Sequence, residues 1–164
     1  MAQVHIIGQI EGATEFKKSD IFCVWKFEVG DSWTEINGIF SGQTQVDKKG
    51  SSGEFVFSHP IDVSYSTTSC IGWPKIVIEI WFQDGYGRND FAGYSVVQIP
   101  TATGSYDLEA LCWRPQGKTM DTIKEMLIGG FMQVKDKSLI YNGEDRFKLT
   151  TLSVGKLHLK LNVL

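Results

Sequence analysis

The chain has 164 residues, 42% of them hydrophobic and 21% charged, a balance that suits one soluble globular domain with a sizeable core. A formal net charge of −3 argues against a dedicated nucleic-acid binder, which carries a basic footprint. No window approaches the roughly 18 to 20 apolar residues of a membrane span, and the opening "MAQVHIIGQIEG" lacks a basic n-region and a long apolar run, so no signal peptide is expected.

In chain order, strand signals dominate. Residues 4–10 alternate and open the chain as a strand. In residues 21–29, Ile21, Cys23, Trp25, Phe27 and Val29 fall on one side, with Lys26 and Glu28 on the other, the period-two pattern of a half-buried strand. Residues 54–65 predict two short extended pieces around Pro60, because proline cannot donate to a sheet ladder. Residues 74–82, "PKIVIEIWF", are apolar on both faces apart from Glu79, the pattern of a central strand covered on both sides. Strands follow over residues 91–99 and 105–113. The chain ends on Leu157, Leu159, Leu161 and Val163 along one face, with His158, Lys160 and Asn162 opposite. One segment reads as helix. "TMDTIKEMLIGG" places Met120, Ile123, Met126 and Leu127 on one stripe, with Asp121 in the first turn and Gly129–Gly130 as a stop. The stretch "DKKGSSG", residues 47–53, is the expected mobile loop. No linker or internal repeat divides the chain, so residues 2–164 are expected to form a single domain. Many short strands with turn signals between them predict an all-β antiparallel sandwich of about eight strands, with one short helix in a connection.

The chemistry-bearing residues are sparse. His5, His59 and His158 sit apart, and no GxSxG, HExxH, P-loop or GxGxxG is present. No catalytic residue is nominated, and an enzyme is not expected. Cys23, Cys70 and Cys112 form no CxxC pair and are expected as reduced, mostly buried thiols of an intracellular protein. Trp73, Trp113 and Arg114 stand beside prolines at strand ends. Tryptophan and arginine are frequent interface anchors, although each tryptophan equally suits packing under the following loop. Paired lysines in "EFKKSD" and "DKKGSSG" could meet anionic headgroups, or simply be solvated beside Glu15, Asp20 and Asp47.

The stretch "WFQDGYGRNDFAGY", residues 81–94, resembles the loop between the sixth and seventh strands of C2 domains, and "TEFKKSDIFCVW", residues 14–25, resembles their partner loop. In that family, aspartates of both loops gather calcium, which takes six to eight hard oxygens. Carried over position by position, the resemblance places Asp20, Asp84 and Asp90 at ligand positions, while Thr14 and Phe82 occupy two others. Three of five corners are acidic, a degenerate calcium site. Turn chemistry, with Asp84 and Asp90 bonding their own backbone, is the expected role, and no cofactor is expected.

Eight further pieces, from "VHIIGQIEGA" through "GQTQVD", "SHPIDVSY", "GWPKI", "WFQDGYGR", "AGY" and "CWRP" to "IYNGEDRFKL", are similar, in order, to the B9-type C2 domain family of the Meckel syndrome complex at the ciliary transition zone. That resemblance implies a C2-like β-sandwich and a non-enzymatic scaffold. It implies assembly with two sibling B9-domain proteins, and a role in ciliogenesis and in the membrane diffusion barrier at the cilium base. The implied location is cytoplasmic, at the basal body and transition zone, in association with the cytoskeleton, with peripheral membrane contact as an option and no nucleic acid. A phospholipid-binding C2 module, with or without calcium, is the alternative.

Overall fold

The computed structural model describes residues 2–116 and 150–164. They form ten strands: β1 (Ala2–Thr14), β2 (Asp20–Glu28), β3 (Trp33–Gly38), β4 (Ser41–Gln43), β5 (Asp47–Lys48), β6 (Phe55–Thr67), β7 (Lys75–Gln83), β8 (Asn89–Gln98), β9 (Gly104–Pro115) and β10 (Thr151–Val163). Every pairing is antiparallel, in the order β3-β6-β1-β10-β9-β8-β7-β2-β4, with β5 also on β2. The predicted helical stretch and the end of the family pattern, "IYNGEDRFKL", lie outside the described residues.

The sheet curls on itself. β8 and β9 meet through the single pair Tyr94 and Trp113, and that narrow seam separates two halves. β3, β6, β1, β10 and the start of β9 make one half. β8, β7, β2, β4 and β5 make the other. Side chains of both halves share one core: Ile6, Ile10, Ile61, Leu159 and Leu161 from the first, Cys23, Trp25, Ile76, Ile78 and Ile80 from the second. Aromatic rings interlock across the gap, with Phe27 edge-on to Tyr65 at 6.0 Å and Trp25 edge-on to His59 at 5.7 Å. Each such side chain taken fully out of water contributes about 1.5–3 kcal/mol. This is the all-β antiparallel sandwich that the strand pattern predicts.

The register explains how sequence becomes layer. Ile21, Cys23, Trp25 and Phe27 alternate inward along β2, and Leu157, Leu159, Leu161 and Val163 along β10, all buried. On β7, Ile76, Ile78 and Ile80 enter the core while Val77 is buried on the opposite face, where Glu79 and Trp81 are half-buried, so one face is dry and the other covered in part.

Three departures from the sequence reading have local causes. β6 runs unbroken through Pro60, which pairs in register with Gln9. β3 pairs with β6 only between Val63 and Thr67, so beside Pro60 the strand has one neighbour, and an N–H missing toward the open side costs no ladder bond. The strand count is ten rather than about eight, because β3, β4 and β5 are short and mostly exposed and carry no apolar alternation. The stretch 47–53 is tied down rather than loose. The Asp47 carboxylate accepts the Val56 N–H at 2.7 Å, the Lys49 N–H donates to the Ser19 carbonyl at 2.7 Å, and the Gly50 N–H donates to the Glu54 carbonyl at 2.9 Å.

Candidate functional site

The connections β1–β2, β5–β6 and β7–β8 lie at one end of the sandwich, and this end carries the acidic residues of the C2-like pattern. Ile21 is opposite Phe82, and Phe82 is opposite Asp90, so Asp20 and Asp90 flank one rung of the sheet. Asp84 begins the tight connection from β7 to β8. Its Oδ1 accepts the N–H of Tyr86 at 2.8 Å and of Arg88 at 2.9 Å, and its Oδ2 accepts the Arg88 guanidinium at 2.6 Å. The main chain closes the turn, with the Asp84 N–H donating to the Arg88 carbonyl at 2.9 Å. These bonds, led by the backbone N–H of Arg88, hold the Asp84 carboxyl below its usual range. Both oxygens therefore serve the turn. Asp20 accepts the Ser19 hydroxyl at 2.7 Å.

Phe82 stands where the C2 pattern has a carboxylate. It is buried and joins the core, and the Lys18 ammonium lies over its ring, 4.5 Å from the centroid. Among the described residues no group of three or more His, Cys, Asp or Glu side chains could hold a metal ion. The donor set does not fit the six to eight oxygens of calcium.

The residues singled out as interface anchors do not converge. Trp113 and Arg114 are consecutive on β9 and face opposite ways. Trp113 is 5% exposed and packs with Tyr94, Phe91 and Val77 on the outer face of the second half, its ring 5.5 Å from that of Tyr94. Arg114 lines a cleft at the loop end. Trp73 lies at the opposite end, half-buried and edge-on to Trp33 at 5.1 Å. There the Trp33 indole donates to the Ile71 carbonyl at 2.9 Å.

Two histidine–hydroxyl pairs escaped the sequence reading because each joins strands distant in the chain. The Ser64 hydroxyl is 2.7 Å from His5 Nδ1, and the Thr14 hydroxyl is 2.9 Å from His158 Nε2. Both lie on the outer face of the first half and satisfy polar atoms between neighbouring strands. The period-two pattern puts each histidine on that face, but only the sheet order supplies its partner. Of the thiols, Cys23 and Cys112 are buried and Cys70 is exposed. Burial pushes the Cys112 thiol up to about 12, and burial together with neighbouring Cys112 raises Cys23 well above its ordinary value. Neither buried sulfur has the thiolate character of a nucleophile.

The B9-C2 family, described as ciliary basal body-associated B9 protein, matches residues 4–164. The chain belongs to the B9 family. It is similar to B9 domain-containing protein 2 of Xenopus laevis, 43% identical over 164 residues that span all of this chain and 93% of that protein. The Homo sapiens protein of the same name is 38% identical, with 94% of its length covered. A more distant B9 relative, B9 domain-containing protein 1 of Xenopus laevis, is 26% identical over 98% of this chain and 82% of that protein. Among solved structures, the C2A domain of a plant Extended Synaptotagmin 1 aligns with a TM-score of 0.48 at 15% identity, covering 98% of this chain and 92% of that one.

Proposed function

We propose that this B9 chain is a non-enzymatic scaffold subunit at the base of the cilium. In this reading it assembles with the two other B9-domain proteins within the Meckel syndrome complex of the transition zone. There it supports ciliogenesis and the membrane diffusion barrier. The observation that carries the reading is the match of residues 4–164 to a family described as ciliary basal body-associated. The existence of a second, related B9 protein supports a set of sibling chains that partner one another. The site chemistry is consistent with binding rather than turnover: the histidine–hydroxyl pairs stitch neighbouring strands, and the buried thiols are protonated.

The same reading has the chain working in the cytoplasm, in contact with the basal-body cytoskeleton, without a cofactor and without calcium. Asp84, one of the three acids of the calcium pattern, is committed to its turn. The test is co-expression with the two other B9-domain proteins, followed by size-exclusion chromatography at several salt concentrations. A co-eluting complex supports the scaffold reading, and separate elution at every salt concentration removes it.

A further inference from the structure

Between the β1–β2 connection and the start of β10 lies a cleft of about 340 Å³, within the range of small binding sites. Its floor is apolar. Phe16, Ile21 and Phe82 line it, and all three are buried, at 4%, 0% and 7% exposure. Its rim is cationic. Lys17 and Lys18 are exposed on the connecting loop and line the mouth, the Lys18 ammonium lying over the Phe82 ring. Glu15 also lines the cleft, but its carboxylate is engaged by Lys156 at 3.2 Å. Asp20 and Asp90 do not line it.

The loop that carries the rim is held in place. The Lys49 ammonium donates to the Phe16 carbonyl at 2.8 Å, and the Lys49 N–H ties down Ser19. Glu15 adopts a left-handed φ of 65°, a conformation that a non-glycine residue keeps only when its surroundings enforce it. The Phe16 ring fits because β10 has a glycine beside it, and a Cβ on Gly155 would lie 2.5 Å from that ring. The cleft is therefore formed before any ligand arrives, which spares the ordering cost of binding.

We propose that this cleft receives an apolar side chain from a peptide segment of a partner protein, flanked by carboxylates that meet Lys17 and Lys18. The charge of the rim selects an acidic segment. The depth of the floor selects a peptide over a membrane. A bilayer surface engages apolar groups that protrude, whereas here the floor residues Phe16, Ile21 and Phe82 are buried, with Lys18 over the Phe82 ring, and of the apolar lining only Leu152 at the edge is exposed. The assignment rests on the scaffold reading only in choosing a protein as the occupant.

The test pans a random dodecapeptide phage library on the immobilised full chain and measures the selected peptides by fluorescence polarisation. The expected consensus is an apolar residue flanked by Asp or Glu, with an affinity that falls as salt rises. The double variant Lys17→Glu, Lys18→Glu, both exposed and so expected to melt like the parent, should weaken the selected peptides by about tenfold or more. Leu152→Ser, at another lining residue that is 41% exposed, should weaken them while leaving the salt dependence intact. Absence of such a consensus, or equal binding to the charge-reversed variant, overturns the proposal. Flotation with phosphatidylserine vesicles that depends on Lys17 and Lys18, without peptide selection, assigns the cleft to lipid and also overturns it. A chain that co-elutes with its B9 relatives yet selects no such peptide sinks the cleft assignment alone. A chain that selects the peptide but does not co-elute sinks the scaffold reading alone.

Discussion

The two outer faces of the sandwich differ more than its two inner ones. On the first half, His5, Ile7, Asp62 and Lys160 are exposed, and the outward residues of β9 are at first exposed too: Ser105, Asp107, Glu109 and Leu111. On the second half an aromatic cluster dries part of the outward face: Phe22, Val77, Tyr94 and Trp113 are each 5% exposed or less, with Trp81 and Val96 packed beside them, while Lys26, Glu28, Lys75 and Glu79 on the same face are half-exposed. β9 passes from one regime to the other within two residues, from Leu111 at 63% exposure to Trp113 at 5%. Alternation along a strand therefore reports how many of its faces are covered, and a nearly continuous apolar run such as that of β7 reports a second face that is covered around Val77 and Trp81.

The largest expected effect breaks this contrast on a single strand. Trp113→Ala should destabilise the chain by roughly 3–5 kcal/mol, as large as a core truncation, whereas Leu111→Ala should stay within about 0.5 kcal/mol. Chemical denaturation of both variants measures this, and equal losses would mean that the outer aromatic cluster is not a second core. Next, Gly155→Ala should cost about 1–3 kcal/mol by overpacking against Phe16. It should also weaken the peptides selected by the cleft, which a change confined to stability would not do at a temperature well below the melt.

Thiol accessibility separates core from surface by chemistry. In the native chain an alkylating reagent at neutral pH should label Cys70 alone, and Cys23 and Cys112 should react only on unfolding. Mass spectrometry of labelled peptides reads this directly, and native labelling of Cys112 would contradict its burial. The smallest effect concerns the loop end. The folded-state carboxyl of Asp84 is held below its ordinary value, so its contribution is present above the ordinary carboxylate range and is lost as pH falls through the depressed value. Asp84→Asn should flatten the acid limb of the melting-temperature profile, and calcium in place of a chelator should leave the melt of the parent chain unmoved. A calcium-dependent rise in melting temperature would restore the metal reading.

Much of this was legible in the residues, though unevenly. β2, β7 and β10 are long and strongly patterned, and their inward faces follow directly from period two. β3, with one buried residue followed by five exposed ones, offers no pattern, because a short edge strand is held by backbone bonds that any side chain permits. Pro60 misled for a related reason. A proline forbids a ladder bond on one side only, and the sequence does not show which side of a strand is open. At the loop end, the replacement of a ligand aspartate by Phe82 is visible in the sequence and already removes a corner of the calcium pattern. The place of Lys18 over that ring is not visible, because it depends on how a loop crosses between two halves of a sheet.

By itself the sequence determined the fold class, the inward faces of the long strands, the B9 resemblance and the turn chemistry of Asp84. The inward faces and the Asp84 turn are local, set by the spacing of side chains along a strand or by bonds within four residues, whereas the B9 resemblance rests on eight pieces recurring in order along the chain. Tertiary structure alone decided which strands are neighbours. That order pairs Ser64 with His5, buries Trp113 while exposing Leu111, and stands Phe16, Phe82 and Lys18 around one cleft. These are contacts between segments far apart in the chain, and side-chain periodicity carries no information about which segment will lie opposite.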